Sequence, residues 1–240
     1  MTREEWETLG NEYNSKGWKL QTGENPDIEA ATAWYEKAAE LGNVTAMVNL
    51  GNLYEEAEDY ENAYQWYLEA AYAGNKKGMF NVANMYFHGW YVDQNYGKAY
   101  EYFRKLHEEG YPGVSYYMGL YAEEGYLDEP DYSLAVRYYE QGIAEGDEYC
   151  PANLGRMYCK GIGMPEDLKK GFELYMLGFV RGDALGATNI GYCYEVGQGV
   201  RRNMEKAIEY YTLAAEMGEE HAVEALERLQ GEEEDGWETI

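Results

Sequence analysis

Six glycines punctuate this sequence at nearly fixed intervals: Gly42, Gly74, Gly110, Gly146, Gly182 and Gly218, with one gap of 32 residues followed by four of 36. A period of that size means that one short supersecondary unit is copied along the chain. Such a unit cannot bury its apolar face without a neighbour to stack on. The rest of each copy keeps register. Eleven residues before each glycine stands Ala31, Ala63, Ala99, Ala135, Gly171 or Ala207, and four residues further on an aromatic, Tyr35, Tyr67, Phe103, Tyr139, Tyr175 or Tyr211. Four residues before the small residue comes Asp27, Asp59, Asn95, Asp131, Asp167 or Asn203. Asp and Asn are strong N-caps, because a short side-chain oxygen accepts from the free amides of a helix's first turn. In the last copy Ala207, Tyr211, Ala214 and Ala215 fall at i, i+4, i+7 and i+8, one face of an α-helix. A helix is therefore expected from each cap to each glycine, which supplies the left-handed residue that ends it.

A second series, Gly10, Gly51, Ala83, Gly119, Gly155 and Gly191, marks a partner helix upstream in each copy. From each second helix to the next first helix the spacing between small residues is always 20; within a copy it is 21, 12, 16, 16, 16 and 16. Length variation is thus confined to one edge, as expected where packing between repeats fixes one turn and leaves the other free. The fold expected is all-α, with twelve or thirteen helices and no strand. Residues 1–230 form one array of six helix pairs, near 3–42, 45–74, 77–110, 113–146, 149–182 and 185–218, closed by a capping helix at 221–230. An acidic tail, 231–240, follows, with Trp237 inside it, and an insertion is expected at Ser15–Pro26.

Charge narrows the partners. With 45 acidic against 19 basic residues the formal charge is −26, which disfavours nucleic acid and anionic membrane surfaces. A hydrophobic share of 45 % sets the chain apart from a disordered acidic tail. The acidic N-terminus with no apolar run behind it predicts no signal peptide, and no stretch approaches a membrane span. Cys150, Cys159 and Cys193 form no pairing framework and are expected as buried free thiols in a reducing compartment, with Cys159 and Cys193 near one another.

No catalytic or metal constellation is visible. His88, His107 and His221 sit in different copies without metal-ligand spacing, and no nucleophile, phosphate-loop or kinase signature occurs. Gly161-Ile162-Gly163 and Gly197-Gln198-Gly199 follow helices rather than strands, so they are read as loop glycines rather than a nucleotide loop. Neither a catalytic residue, a metal nor a cofactor is expected.

The last copy, Ile190-Gly191-Tyr192-Cys193-Tyr194, then Gly197-Gln198-Gly199-Val200, Lys206-Ala207, Tyr210-Tyr211, Ala214-Ala215 and Gly218, resembles the Sel-1-like repeat family, relatives of the tetratricopeptide repeats. The copy at Asn49-Leu50-Gly51-Asn52-Leu53-Tyr54 is instead similar to a plain tetratricopeptide unit. The resemblance spans about residues 6–230. It implies a right-handed α-superhelix acting as an interaction scaffold, with first helices lining the concave face. On that face the resemblance brings Asn11, Asn52 and Asn84, each just after the small residue, with a second Asn series at Asn49, Asn81, Asn153 and Asn189. Asn carries both a donor and an acceptor and can hold an extended peptide by its backbone, though the second series also suits helix-to-helix ties. The related carboxylate clamp needs basic residues where this chain has Val48 and Phe80, so it is not expected. Phe87, Tyr116, Tyr149 and Tyr192 add flat apolar contact, Glu55, Glu123 and Glu195 an acidic stripe, and Arg156 one positive break in it.

The partner expected is a basic or neutral peptide or protein segment carrying Lys or Arg, bound by a monomeric, cytoplasmic, bacterial scaffold rather than by an enzyme. Two other readings stay open: a hydrolase of the cell-wall or β-lactam type known in the resembled family, and a self-associating structural or regulatory subunit.

Overall fold

The computed structural model describes the backbone of residues 2–235 and the side chains of residues 2–230. Among the described residues it contains thirteen α-helices and no strand. They group into two compact units. Unit 1, Met1–Tyr111, holds α1 (Arg3–Thr22), α2 (Ile28–Glu40), α3 (Val44–Glu56), α4 (Tyr60–Tyr72), α5 (Lys76–His88) and α6 (Tyr96–Glu108). Unit 2, Pro112–Ile240, holds α7 (Val114–Glu124), α8 (Tyr132–Glu145), α9 (Cys150–Lys160), α10 (Leu168–Arg181), α11 (Ala184–Val196), α12 (Met204–Glu216) and α13 (Glu220–Asp235). In each unit consecutive helices pack on one another, the solenoid order expected of stacked helix pairs.

Each predicted cap does its work. Asp27, Asp59, Asn95, Asp131, Asp167 and Asn203 accept from the backbone N–H three residues on and start α2, α4, α6, α8, α10 and α12. The glycines that follow these helices, Gly42 to Gly218, have φ between +66° and +104°, where a side chain would be strained. The capping residues also tie the pairs together. Their own N–H groups donate to the carbonyls of Tyr54, Tyr86, Ala122, Tyr158 and Tyr194, each three residues past the small residue of the first helix.

The first pair departs from the expected register. Asp27 donates to Leu20, which makes Gly17 the small residue of α1. A Cβ there would stand 2.7 Å from the Tyr35 ring, the contact that Gly191 makes with Tyr211. Gly10 lies two turns earlier, against Leu41 and Asn43. The expected insertion at Ser15–Pro26 is mostly helix: nothing between Ser15 and Thr22 breaks α1, which therefore runs for 20 residues.

In each unit the core seats aromatics on small residues. Tyr35, Tyr67, Phe103 and Tyr139 are fully buried, and Tyr175 and Tyr211 nearly so. At the C-terminal end α13 lays Ala222 and Leu229, with Ala225 and Leu226 beside them, against the Tyr211 cluster. Its backbone stays helical through Glu232–Asp235, inside the stretch expected as a tail. Trp237 and the rest of that stretch lie outside the described residues.

Candidate binding surface

Each second-helix tyrosine passes its hydroxyl through to the first helix. It meets the residue four places after the small one: Tyr35 donates to Gln21 Oε1 at 2.7 Å, Tyr67 to Glu55 Oε2 at 2.5 Å, Tyr139 to Glu123 Oε2 at 2.9 Å and Tyr211 to Glu195 Oε2 at 2.7 Å. Burial and the adjoining carboxylate raise the phenol pKa of Tyr67, Tyr139 and Tyr211, so each remains a neutral donor. In the third pair the aromatic is Phe103, which has no hydroxyl, and the facing position is Phe87. The fifth pair sets Tyr175 against Cys159.

These contacts decide where the sequence-predicted residues lie. Glu123 is 5 % exposed and also accepts from Arg156 Nη2 at 2.6 Å. Glu195 accepts from Arg228 Nη2 at 2.8 Å through both oxygens. The expected acidic stripe is thus occupied by the fold's own tyrosines and, in unit 2, by its own arginines. Phe87 is buried against Phe103, Tyr96 and His88. It belongs to the core because it fills the space that a Tyr–Glu pair takes elsewhere. Asn11 belongs to the earlier register: its Oδ1 accepts from Asn43 Nδ2 at 2.8 Å, and Asn49 Nδ2 donates to Asn14 Oδ1 at 3.0 Å, so these amides tie α1 to α3. The slot after the small residue of α1 is held by Trp18, 55 % exposed.

Asn52 Oδ1 lies 2.9 Å from the Tyr67 hydroxyl, beside Glu55, whereas Asn84 Oδ1 is buried without a donor. In unit 2 Tyr116 packs its ring 5.5 Å from that of Tyr149, while Tyr149 and Tyr192 stay about half exposed. Tyr192, Thr188 and Asn189 of α11 and His221 and Arg228 of α13 line an open groove of about 430 Å³. Arg228 was missed by the sequence reading, although it repeats the 33-residue offset of Arg156 from its glutamate. Among the described residues no group of His, Cys, Asp or Glu side chains could hold a metal ion. The three cysteines are buried free thiols, and Cys159 and Cys193 share one core cluster, as expected.

One buried acid stands outside this pattern. Asp183 caps α11 through Leu185 N–H at 3.0 Å, but its second oxygen has no partner. Burial, with Glu148 and Glu219 nearby, pushes its carboxyl pKa up to about 6. The folded state therefore holds this proton more tightly than the unfolded chain, whose Asp titrates near 4. Stability falls as pH rises through that window and stays lower at neutrality. Asn43 and Asn75 cap α3 and α5 from the corresponding positions without charge. Asp183→Asn should accordingly gain about 2 kcal/mol at pH 7 and almost nothing at pH 4, read from denaturant unfolding at the two pH values.

Stacked helix pairs, each locked by a buried aromatic on a small residue and presenting one first-helix face, define a helical-repeat protein of the tetratricopeptide-like class. The Sel1 repeat profile matches residues 9–43, 76–111, 114–147, 152–175 and 184–219, and a tetratricopeptide repeat profile matches 46–77. The chain belongs to the Sel1 repeat family. Among solved structures it is similar to a Sel1 repeat protein from Oxalobacter formigenes, at 28 % identity and a TM-score of 0.71 over 92 % of this chain and 86 % of that one. It is also similar to a protective antigen of uropathogenic Escherichia coli with an SLR fold, at 26 % identity and a TM-score of 0.72 over 94 % of this chain. This chain spans about half the length of that antigen, 51 %. A sel1 repeat protein from Klebsiella pneumoniae, 19 % identical with a TM-score of 0.59, shares the fold. No curated protein matches the sequence. Repeats of this kind serve in general as protein-interaction scaffolds and are typically non-catalytic. No helix among the described residues is long and apolar enough to cross a membrane.

Proposed function

We propose that this protein is a non-enzymatic scaffold that holds a Lys- or Arg-bearing peptide or protein segment against its first-helix faces. One observation carries the reading. The small residue and the aromatic persist from pair to pair, but the residue just after the small one changes: Trp18, Asn52, Asn84, Leu120, Arg156, Tyr192. A fixed scaffold with one variable first-helix position is how a repeat array encodes recognition of a particular ligand. The formal charge of −26 favours encounter with a basic segment. A cytoplasmic setting is part of the proposal and is supported by three buried, unpaired thiols.

Fluorescence anisotropy with labelled twelve-residue basic, neutral and acidic peptides tests the reading. The basic peptide should bind tightest, and its affinity should fall as salt shortens the Debye length below about 8 Å. Trp18→Ala and Tyr192→Ala remove half-exposed rings from outside the core, so each should weaken binding about tenfold with an unchanged melting curve. Equal affinity for the acidic peptide, or indifference to both substitutions, would overturn the proposal.

A further inference from the structure

Glu123 and Glu195 are satisfied in the same two-sided way. Oε2 accepts from the second-helix tyrosine, and Oε1 accepts from an arginine 33 residues on, Arg156 at 2.6 Å and Arg228 at 2.8 Å. For Glu123 that arginine stands one residue after the small residue of the next first helix. Glu55 of α3 occupies the corresponding position in unit 1, and its Oε2 accepts from Tyr67. The slot that holds Arg156 is filled by Asn84 of α5, nearer in sequence because the α3–α4 connection is shorter. Among the described residues no Lys or Arg makes an ion pair with Glu55.

Asn84 adds a second, independent sign. Asn52, at the same slot one repeat earlier, stands 2.9 Å from the hydroxyl of its own pair's tyrosine. Asn84 belongs to the pair whose aromatic is Phe103, and its Oδ1 is left buried without a donor. Unit 1 therefore carries a carboxylate and an amide oxygen, both acceptors, on successive first helices, in the register slots that Glu123 and Arg156 occupy in unit 2. A half-buried carboxylate and a buried amide oxygen are together satisfied by a charged multi-donor group, and a planar guanidinium is the one the sister positions use.

We propose that Glu55 and Asn84 form a pocket for an arginine side chain of the bound partner, so that the ligand's guanidinium completes in unit 1 the pairing that Arg156 and Arg228 complete in unit 2. This rests on the proposed binding of a basic segment and names its anchor. The lone arginine side chain needs no covalent step: it donates N–H groups to Glu55 Oε1 and Asn84 Oδ1.

The test uses the full chain, ¹⁵N-labelled, with acetyl-Ala-Ala-Arg-Ala-Ala-amide and the same peptide carrying citrulline, a neutral isostere, as probes at millimolar concentration. The arginine peptide should shift the Asn84 side-chain amide saturably, and the citrulline peptide should not. Glu55→Gln keeps an acceptor for Tyr67 and should weaken the response at least tenfold. Asn84→Arg copies Arg156, and should raise the melting temperature while abolishing the peptide's shifts of the backbone amides around Glu55. If the arginine peptide shifts other first-helix residues and ignores both substitutions, the pocket is wrong and binding on the face stands. If no first-helix resonance moves with either peptide, the pocket and the broader reading both fail. An Asn84→Arg variant that is no more stable than the parent also overturns the assignment, since it denies that the position accepts a guanidinium.

Discussion

Arg156→Ala is expected to lower the stability of the fold by about 3 kcal/mol. The reason is Glu123 rather than the arginine itself. The Glu123 side chain is 3 % exposed, against 31 % for Arg156, so truncating the arginine strands a carboxylate in the interior while the cation that leaves was partly hydrated. The Tyr139 hydroxyl donates only one hydrogen bond and cannot replace the lost charge. The low end of the range for broken buried pairs applies because the pair reaches solvent on the arginine side. A double-mutant cycle separates this from mere loss of packing. Glu123→Gln should destabilise the parent protein, because it removes the charge that Arg156 faces, yet stabilise the Arg156→Ala variant by about 1–2 kcal/mol, because it removes the stranded charge. Denaturant unfolding of the four proteins checks the sign. If Glu123→Gln destabilises both backgrounds equally, the pair contributes nothing as a pair, and Arg156 acts only through its aliphatic stem.

Much of this architecture is legible in the sequence because the constraints on it are local. Asp27 or Asn203 announces a helix start through a hydrogen bond three residues away, and Gly42 or Gly218 announces its end through its own φ; neither requires knowledge of the rest of the chain. The 36-residue period then places the helices in pairs. The register of α1 was not legible in the same way. Gly10 and Gly17 are both helical glycines, and the choice between them depends on which one lies under Tyr35, a contact made across a connection of variable length. The places of Asn11 and Phe87 were not legible for a related reason. Side chains recurring on one helix face can point into the groove or into the neighbouring helix, and period alone does not distinguish the two. A signal was nevertheless present. The residue four places after the small one tracks the aromatic of its pair: Glu55 with Tyr67, Glu123 with Tyr139, Glu195 with Tyr211, and Phe87 with Phe103. A hydroxyl calls for an acceptor and a phenyl ring calls for apolar contact, so that correlation identifies Glu55, Glu123 and Glu195 as partners of the core before any groove is considered.

The same close packing leads to the second large effect, at a residue with no side chain to lose. Gly51→Ala should cost about 3 kcal/mol, although alanine is the better helix former and the position lies inside α3. A methyl group at Gly51 would be driven into the ring of Tyr67, which is fully buried. The ring has nowhere to retreat, because its hydroxyl is held across the interface by Glu55. Ala83 takes the corresponding position of α5, in the pair whose aromatic, Phe103, has no hydroxyl to anchor across the interface. A control is built into unit 1. Gly97, exposed near the start of α6, would set its new Cβ no closer than 3.4 Å to Asn95 Oδ1, so Gly97→Ala should gain about 0.5 kcal/mol from restricted backbone freedom in the unfolded chain. Urea unfolding of the two variants should therefore move in opposite directions from the parent. Adding Tyr67→Phe to Gly51→Ala frees the ring from Glu55 and should recover part of the loss, despite removing a hydrogen bond that is favourable in the parent. Equal losses in the single and double variants would mean that the ring is held by packing alone, and that the hydroxyl anchor does not set how closely α3 and α4 approach.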